Sequence, residues 1–362
     1  MQLNILVLPG DGIGAEVTRE AVRVLEAVAR RFGHTVRLTQ GLLGGVAIHQ
    51  TGEPLPEETR RLALEADATL MGAVGLPEFD SAPPERRPER GLLGIRKLLG
   101  VYANLRPVFT YQSLIPTSPL KDDIVRGVDM IIVRELTGGI YYGTPRGVSV
   151  VDGERTAVNT MVYRQSEIER VARMAFSLAR DRRQKVTSVD KANVLENSQL
   201  WREVVTQVGA GFPDVELYHM LVDNCAMQLV LNPRHFDVLL TENLFGDILS
   251  DEGAVLAGSI GMLPSASIGE RKPNGVWTGL YEPVHGSAPG IAGQNKANPL
   301  GAIGSVAAML AYSFGLKEEA RAVEKAIEQV LASGRVTADL KPAGPPATTE
   351  EVGRAVCEAV ER

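Results

Sequence analysis

The feature that most constrains the fold is the alternation of short apolar runs with amphipathic segments along most of the chain. An apolar run at 3–8 ends in the turn Pro9-Gly10-Asp11-Gly12, and apolar residues then recur every three or four positions over 13–28. These patterns predict a strand, a glycine turn and a helix. Further strands are predicted at 35–39, 68–74, 185–189 and 236–240, and further helices at 55–65, 168–178, 199–208, 223–231 and 244–256. Such alternation is typical of an α/β protein with a substantial parallel sheet.

Three segments depart from this alternation. Residues 141–163 contain short runs between turn residues, which predicts an antiparallel excursion. Residues 77–90 are rich in proline and charge and should form an exposed loop. Residues 299–316 carry no charge and reach the lower limit for a membrane span, but their glycines and serines favour a buried core helix.

Length and composition narrow the class of protein. The chain has 362 residues, enough for two or three domains at about 150 residues each. Its net charge of −6 argues against a nucleic-acid-binding protein, which usually carries a basic face. Two cysteines cannot form a disulfide framework, and the first residues lack the pattern of a secretory signal. We therefore expect a cytoplasmic protein without nucleic-acid or membrane partners.

Two glycine-rich stretches are candidates for ligand binding. Gly10-Asp-Gly-Ile-Gly14 follows a predicted strand and opens a helix, where backbone amides can hold a phosphate. Its spacing is not G-x-G-x-x-G, so a tight turn alone is the favoured interpretation. Residues 282–293 form a long, turn-rich sequence around His285, which predicts either a buried loop or a ligand-binding loop.

Acidic residues with metal-ligand spacing occur on one predicted helix. Asp247 and Asp251 are four positions apart, so their side chains share a face, about 5–6 Å apart at Cβ. Asp251 also falls in line with Leu244, Ile248 and Val255, which are predicted to face the interior, where an unpaired carboxylate is costly. A divalent cation with oxygen ligands, Mg²⁺ or Mn²⁺, would offset this cost; the alternative is an acidic solvated face. Asp223 is a candidate third ligand that no spacing connects to the pair.

Basic residues and a tyrosine are candidates for binding and proton transfer. Arg96, Arg106 and Arg134 could hold a di- or tricarboxylate, because arginine pairs bidentately with carboxylates; the alternative for each is an exposed surface position. Lys191 follows a predicted strand and could act as a base, or it could be a solvated strand-end residue. Tyr141 and the next residue point to opposite sides if the segment is a strand, so only one of them can face a site.

Several motifs occur in one order across nearly the whole chain and are far more specific together than singly. They read LPGDGIG, YANLRP, RELTGGIYYG, TSVDKANVL, NLFGDILSDE, GSIGMLPSAS and EPVHGSAP. Through these motifs the chain resembles the isocitrate/isopropylmalate dehydrogenase family of β-decarboxylating dehydrogenases, and most closely its isopropylmalate branch.

The resemblance implies an α/β fold of two domains around a mixed sheet, with the active site in the cleft between the domains. A large discontinuous cofactor-binding domain would comprise 1–101 and 258–362, and a smaller central domain, 102–257, would carry the dimer interface. The protein would be a homodimer with shared active sites. Each site would bind NAD, outside the usual Rossmann mode, and one Mg²⁺ or Mn²⁺.

The resemblance also implies roles for individual residues. The substrate would be bound through its carboxylates by Arg96, Arg106 and Arg134, and through its side chain by Leu92 and Val194. The metal would be bound by Asp247 and Asp251 of one subunit and by Asp223 of the other. The catalytic residues would be Lys191 and Asp223, which reach in from the other subunit, and Tyr141. The cofactor would contact Ile13, Asn193, Glu282, His285, Gly286, Ser287, Ala288, Pro289, Gly290, Ile291 and Asn298.

These implied parts suit an oxidative decarboxylation in leucine biosynthesis. Lys191 would accept the 2-hydroxyl proton of 3-isopropylmalate as hydride passes to NAD, while the metal polarises that oxygen. After loss of CO₂, Tyr141 would protonate the enolate to give 4-methyl-2-oxopentanoate. Leu92 and Val194 would form an apolar wall that rejects a third carboxylate, unless Leu92 is an ordinary core residue.

One position departs from the family pattern. NAD-using members usually read GSAPDIAG, where the aspartate holds the adenosine ribose hydroxyls, and NADP-using relatives carry Lys-Tyr at these two positions. This chain has Gly290-Ile291 instead. We expect a preference for NAD with cofactor binding weakened by roughly 1.5–3 kcal/mol, the contribution of a hydrogen bond to a charged group.

Two alternatives stay open. A sister enzyme could act on D-malate, tartrate or homoisocitrate, since few residues define the substrate pocket. A non-catalytic regulatory subunit of the same fold is the other alternative. The complete set of arginine, aspartate, lysine and tyrosine residues argues against it, and only Gly290 argues for it.

Overall fold

The computed structural model describes residues 1–272 and 276–362, and its strands and helices alternate along most of the chain. The strands are β1 (Gln2–Gly10), β2 (Thr35–Gln40), β3 (Ala68–Ala73), β4 (Ala103–Phe109), β5 (Asp129–Glu135), β6 (Gly147–Val151), β7 (Glu154–Val158), β8 (Lys185–Asp190), β9 (Glu216–Leu221), β10 (Val238–Thr241), β11 (Pro264–Arg271) and β12 (Trp277–Pro283). The helices are α1 (Gly14–Phe32), α2 (Gly45–Thr51), α3 (Glu57–Glu65), α4 (Pro88–Leu99), α5 (Asp122–Val125), α6 (Gln165–Arg180), α7 (Glu196–Gly209), α8 (Val222–Leu231), α9 (Asn243–Leu256), α10 (Leu300–Tyr312), α11 (Lys317–Ala332) and α12 (Thr349–Glu361). The α/β class predicted from the sequence is confirmed. The loop predicted at 77–90 contains two short 3₁₀ turns and ends early, since α4 begins at Pro88.

The chain divides into two compact units. Unit 1 comprises Met1–Val101, Thr110–Pro119 and Ala254–Arg362, and unit 2 comprises Tyr102–Phe109 and Leu120–Gly253. The boundaries differ from the predicted central domain, 102–257, because 110–119 and 254–257 belong to unit 1. The first of these segments packs against α11, and Thr110 Oγ1 donates to the Leu256 carbonyl at 2.8 Å.

The sheet of unit 1 has the strand order β2-β1-β3-β12-β11. Its first four strands are parallel, and β11 pairs antiparallel with β12. Helix α1 lies on this sheet through the buried side chains of Val17, Ala21 and Val24 and packs beside α10 and α12. It ends at Gly33, whose left-handed φ of 70° suits a glycine.

Helix α10 is buried on nearly all sides, between α1, α11 and strands β11 and β12. Gly301 permits this packing, because a Cβ atom there would lie 2.9 Å from the carbonyl oxygens of Gly261 and Leu263. The core helix predicted from the uncharged run is confirmed. In the described residues, no helix combines the length and apolarity needed to cross a bilayer.

The sheet of unit 2 has the strand order β4-β5-β10-β8-β9, with β4 antiparallel and the other strands parallel to one another. Parallel strands end at the same edge, so Arg134 on β5, Lys191 after β8 and the start of α9 after β10 all lie at the carboxyl edge of this sheet. The predicted antiparallel excursion is confirmed by the β6–β7 pair. Tyr141 lies in a turn before β6, so the strand geometry considered for it does not apply.

Helices α8 and α9 carry exposed apolar side chains. Met227, Val230, Leu231, Ile248 and Val255 are 41–61% exposed. The prediction that Ile248 and Val255 face the interior is wrong, because α9 turns a different face inward. That face carries Leu249 and the small residues Ser250 and Gly253, and Gly253 lies against Val108 of β4.

Candidate active site

Two buried arginines lie on neighbouring antiparallel strands of unit 2. Arg106 on β4 and Arg134 on β5 are only 6% and 3% exposed, so the surface alternative is wrong for both. In the register of these strands Asn104 lies opposite Arg134, and Arg106 follows Asn104 by two residues on the same face. Guanidinium groups buried in this way need anionic or polar partners, because an unpaired buried charge is costly.

The partners of Arg106 come from its own strand and from α9. Its Nε donates to Asn104 Oδ1 at 2.7 Å, and its Nη1 donates to Ser250 Oγ at 2.5 Å. The same Nη1 lies 3.8 Å from Oδ1 of Asp247 and 3.8 Å from Oδ1 of Asp251. These contacts fix the direction of the guanidinium group toward α9.

Arg134 is held by two side chains of α9. Its Nε and Nη2 donate to Oδ1 of Asn243 at 3.1 and 2.8 Å, and its Nη1 donates to Asp247. Asn243 is itself buried and fixed, because its Nδ2 donates to the Gly138 carbonyl at 3.1 Å. The roles of Asn104, Asn243 and Ser250 were not predicted from the sequence. Asn243 was detectable, because it precedes Asp247 by four positions on the same helix and therefore shares its face.

Asp247 and Asp251 project from one face of α9, as their spacing predicted, and their side chains are 38% and 61% exposed. Tyr141 donates its hydroxyl to Oδ2 of Asp247 at 2.8 Å. Burial, together with this hydrogen bond, raises the pKa of Tyr141 to about 12, so the phenol stays protonated at neutral pH. Burial also raises the pKa of Asp251, against the opposing effect of Arg106. We call Arg106, Arg134, Tyr141, Asp247 and Asp251, with their holders Asn104, Asn243 and Ser250, the arginine–aspartate cluster.

The donor set of Asp247 and Asp251 fits a hard divalent cation. Both are accessible carboxylates on one helix face, and oxygen ligands are those that Mg²⁺ and Mn²⁺ prefer. Among the described residues, no group of three His, Cys, Asp or Glu side chains is arranged to hold a metal. The predicted third ligand, Asp223, is therefore not assembled with the other two within one chain.

Asp223 instead pairs with Lys191, whose Nζ lies 2.6 Å from its Oδ1. Hydrogen bonding from this ammonium lowers the pKa of Asp223. The turn that carries Lys191 is built on Asp190, a buried carboxylate that binds Arg202 at 2.8 and 2.9 Å and accepts the amide of Ala192 at 3.0 Å. The two predicted contact residues that follow, Asn193 and Val194, are exposed.

In unit 1, Arg96 and Leu92 lie on α4. Arg96 is buried and pairs with Glu282 of β12, so the surface alternative is wrong here too. The carboxylate of Glu282, a predicted cofactor contact, is thus engaged by an arginine. Leu92 lies four residues before Arg96 and is half-buried, whereas Ile95 is fully buried. Leu92 is therefore less buried than its neighbour Ile95 on the same helix.

Residues 284–298, which we call the His285 loop, carry most of the predicted cofactor contacts. The imidazole of His285 is buried, its Nδ1 lies 2.9 Å from the Gly286 carbonyl, and its Nε2 has no hydrogen-bond partner among the described residues. Burial lowers the pKa of His285, so the ring is neutral at physiological pH. Gly290 is exposed, and a Cβ atom there would meet nothing within 4 Å. Asn298 is buried and donates to Asp339 Oδ2 at 3.0 Å.

An exposed loop with a buried, neutral and partly unsatisfied imidazole suits a nucleotide cofactor. Hydrogen-bonding capacity that the protein leaves unused is available to a ligand once the loop adjusts around it. The segment from Gly286 to Ile291 offers exposed backbone, with Ser287 as its buried member. The residues present therefore fit the predicted cofactor site.

The first glycine turn packs against the His285 loop. A Cβ atom at Gly10 would lie 2.0 Å from the Ala73 carbonyl oxygen, and one at Gly12 would lie 2.0 Å from that of Ser287. The amide of Ile13 donates to the same Ser287 oxygen at 2.8 Å. The tight-turn interpretation is therefore the one that the geometry favours, and Ile13 contacts the loop directly.

Comparisons with known proteins agree with this geometry. A family model described as isocitrate/isopropylmalate dehydrogenase matches residues 4–356. A 3-isopropylmalate dehydrogenase from Geobacillus kaustophilus is 62% identical over 341 residues, which cover 94% of this chain and 91% of the relative. Another, from Halalkalibacterium halodurans, is 56% identical over 362 residues, which cover 100% of this chain and 98% of the relative.

Solved structures give the same assignment. An isocitrate dehydrogenase from Methylococcus capsulatus is 35% identical with a TM-score of 0.88, over 99% of this chain and 100% of its own. A β-decarboxylating dehydrogenase from Thermococcus kodakarensis is 38% identical with a TM-score of 0.78, over 99% of this chain and 96% of its own. Matched in sequence and in structure over nearly its whole length, the chain belongs to the isocitrate/isopropylmalate dehydrogenase family.

Proposed function

We propose that this protein catalyses the metal-dependent, NAD-linked oxidative decarboxylation of 3-isopropylmalate to 4-methyl-2-oxopentanoate, in leucine biosynthesis and in the cytoplasm. The observation that carries the proposal is the arginine–aspartate cluster, in which Arg106, Arg134 and Tyr141 converge on Asp247. The relatives named above, at 56% and 62% identity, support the choice of substrate.

The arginines of the cluster bind the carboxylates of the substrate. Arg106 and Arg134 are held in fixed orientations by Asn104, Ser250 and Asn243 before any ligand arrives. Because the side chains are already ordered, little conformational entropy is lost when they bind a carboxylate. Arg96, fixed by Glu282, is the third carboxylate ligand in this proposal.

Two protein groups move the protons. A divalent cation held by Asp247 and Asp251 would supply Lewis-acid polarisation of the 2-hydroxyl oxygen, and NAD would supply the hydride acceptor. Lys191 accepts the 2-hydroxyl proton in its neutral amine form when the alcohol is oxidised, and its contact with Asp223 orients the side chain. Tyr141, whose phenol remains protonated at neutral pH, delivers a proton to carbon after CO₂ has left.

The His285 loop binds the cofactor in this proposal. The neutral imidazole of His285 and the exposed backbone from Gly286 to Ile291 form the nucleotide site. Gly290 offers no side chain to the ribose hydroxyls, and Ile291 offers no cation to a 2′-phosphate. The protein therefore prefers NAD over NADP but binds it weakly.

Leu92 determines which substrate side chain the site accepts. Its half-buried isobutyl group accepts an isopropyl substituent, whereas a carboxylate at that position would be desolvated without a partner. A site that leaves a charge unpaired rejects that substrate strongly, while a missing methyl group costs only about 1–3 kcal/mol.

The working unit is a homodimer in which the subunits share active sites. The exposed apolar side chains of α8 and α9 support this assembly, since a second copy that covered them would remove them from water. Sharing also accounts for the position of Asp223, which stays with Lys191 and apart from the other aspartates in one chain.

Absorbance of NADH tests the reaction and the substrate together. Purified protein with Mg²⁺ or Mn²⁺ is given 3-isopropylmalate, isocitrate, homoisocitrate, D-malate or tartrate in parallel. Selective turnover of 3-isopropylmalate is expected. Preference for another acid would overturn the role of Leu92, and a folded protein that turns over none of them would overturn the proposed function in favour of a regulatory subunit.

A mixture of two inactive variants tests the shared site. In a heterodimer of Asp247→Asn and Lys191→Met, one shared site carries both lesions and the other carries neither. Random reassociation should therefore restore about a quarter of the wild-type activity. If each site lies within one chain, every site retains a lesion and no activity returns.

A further inference from the structure

Glu16 is a buried carboxylate for which the proposed chemistry has no use. It lies in the first turn of α1 and is 8% exposed. Its Oε1 accepts the amide of Gly293, 277 positions away in the sequence, and its Oε2 accepts the amide of Asn295 at 3.2 Å. Both carboxylate oxygens thus bind backbone of the His285 loop.

The loop has few other attachments along its exposed part. Residues 286–296 are mostly exposed and contain only a short 3₁₀ turn at Pro289–Ile291. Among the described residues, their other hydrogen bonds to the rest of unit 1 join Ser287 to Ile13, and Asn295 to the first residues of α12. Residues 13 and 16 are three apart and lie on one side of the helix, so the start of α1 holds both ends of this segment.

Two non-glycine residues of the loop have a backbone conformation that costs free energy. Ala288 and Asn295 have φ values of 39° and 57°, in the left-handed region that non-glycine residues rarely adopt. Such conformations persist where the surroundings hold them. Glu16 binds the amide of Asn295 itself, and its negative charge at the N-terminus of α1 is favourable with the helix dipole.

We infer that Glu16 is a positioning residue for the cofactor: it fixes the His285 loop in the shape that binds the nucleotide, without contacting the nucleotide itself. The inference rests on the proposed function, because it takes this loop as the cofactor site. It predicts that substitution of Glu16 weakens cofactor binding while substrate binding and the chemical step are kept.

Fluorescence titration with NADH, without acid substrate or metal, measures the binding directly. Glu16→Gln keeps one acceptor but presents an amide donor to a second N–H group, and Glu16→Ala loses both bonds. We expect the Kd for NADH to rise in the order wild type, Glu16→Gln, Glu16→Ala, by about tenfold for the alanine variant. In turnover, KM for NAD should rise in the same order, while kcat and KM for the acid stay near the wild-type values.

Glu20 offers a matched control on the same helix. It is a fully buried carboxylate one turn further on, and its partners are Arg19 and Arg23 of α1 itself, at 3.3 and 3.0 Å. Glu20→Gln should lower thermal stability without changing the Kd for NADH. An equal rise in Kd for Glu20→Gln and Glu16→Gln, or an unchanged Kd in both Glu16 variants, would overturn the inference.

Hydrogen exchange provides a readout that does not depend on the cofactor. The amides of Gly293 and Asn295 should exchange faster in Glu16→Gln than in the wild type, and remain unchanged in Glu20→Gln. Unchanged exchange in Glu16→Gln would overturn the inference alone, since wild-type binding would still support the cofactor site. Folded wild-type protein that binds no NADH would overturn the proposed cofactor site, and the role of Glu16 with it.

Discussion

The arginine–aspartate cluster and the His285 loop hold their functional groups in different ways. In the cluster, side chains bind one another, and each buried arginine is fixed by a side-chain amide or hydroxyl group from a strand or from α9. In the loop, the functional segment is mostly exposed backbone, and a few groups of α1 and α12 hold it from outside. The side chains of the cluster are positioned by their contacts with one another. The shape of the loop is instead determined by its contacts with helices of the core.

Because of this difference, we expect substitutions in the two regions to have different consequences. A change within the cluster removes a charge or a hydrogen bond from the proposed reacting centre and should act on turnover. A change within the loop alters the shape or the contacts of the proposed nucleotide site and should act on cofactor affinity. Substitutions whose predicted effects decrease in size test this separation.

Asp247→Asn should have the largest effect. The residue joins Arg134, Arg106 and Tyr141, and it is a metal ligand in the proposed site. We expect kcat to fall at least ~10³-fold, because a charge that stabilises the transition state is removed. The Kd for NADH, measured by fluorescence, should stay within about twofold of wild type because the loop keeps its tethers. Metal-dependent turnover at a near-normal rate would contradict the assignment.

Asn243→Leu should have the next largest effect. It leaves Arg134 without the acceptor for its Nε and Nη2. We expect kcat/KM for the acid to fall about 100-fold, since a buried charged group loses two hydrogen bonds. Asn243→Asp keeps oxygen acceptors for Arg134 and should recover part of the activity. Equal kinetics for the leucine and aspartate variants would show that Asn243 does not orient the arginine.

Gly290→Asp, a substitution in the His285 loop, should make NAD bind more tightly. The position is open, so the new side chain can be accommodated without moving its neighbours. The Kd for NAD should fall about tenfold, from a ribose hydrogen bond to a charged group. Gly344→Asp, at another open glycine of unit 1, is the control for added charge. An unchanged Kd in Gly290→Asp would mean that this position is not the missing contact.

The smallest effect concerns the pH dependence of stability. Burial lowers the pKa of His285, so the unfolded chain takes up a proton near pH 6.5 before the folded protein does. The neutral ring therefore contributes stability above about pH 6.5, and that contribution falls as the pH drops. Denaturant unfolding measures the free energy of unfolding at about pH 7.5 and at about pH 5.5. This free energy should fall more for wild type than for His285→Asn, by at most about 1.4 kcal/mol for each unit by which the pKa is lowered.

Two buried carboxyl groups in unit 2 change the stability in the opposite direction as the pH falls. Burial raises the pKa of Glu135 and of Glu242, so these carboxyls favour the folded state as the pH falls. Wild type and His285→Asn both contain these carboxyls, so their contribution to the pH dependence of stability cancels when the two proteins are compared. Equal pH dependence of wild type and His285→Asn would contradict the role given to the buried imidazole.

Most of the fold could be predicted from the sequence because its local signals agree with the tertiary structure. The apolar period of α1, the uncharged run of α10 and the turn residues around β6 and β7 each specify one element. The prediction for α9 was wrong at Ile248 and Val255, because a helix with apolar residues on several sides has no single inward face until its neighbours are known. Here Ser250 and Gly253 face β4, whereas Ile248 and Val255 remain exposed.

The candidate site was partly visible in the sequence. The aspartate pair was predicted by spacing alone, because both residues lie on one helix. The burial of Arg106 and Arg134 was not, since a strand arginine is exposed or buried according to the strands beside it. Glu16 gave no signal, because its partners lie almost at the other end of the chain.

In the proposed reaction, one active site couples oxidation by NAD with loss of CO₂ and requires a divalent cation. Its most direct test measures NADH and CO₂ together as the wild type consumes 3-isopropylmalate, before and after chelation and again after Mg²⁺ is restored. Equimolar NADH and CO₂, abolished by the chelator and recovered with Mg²⁺, are the predicted result. NADH formed without CO₂, or turnover that persists in the chelator, would contradict the claim.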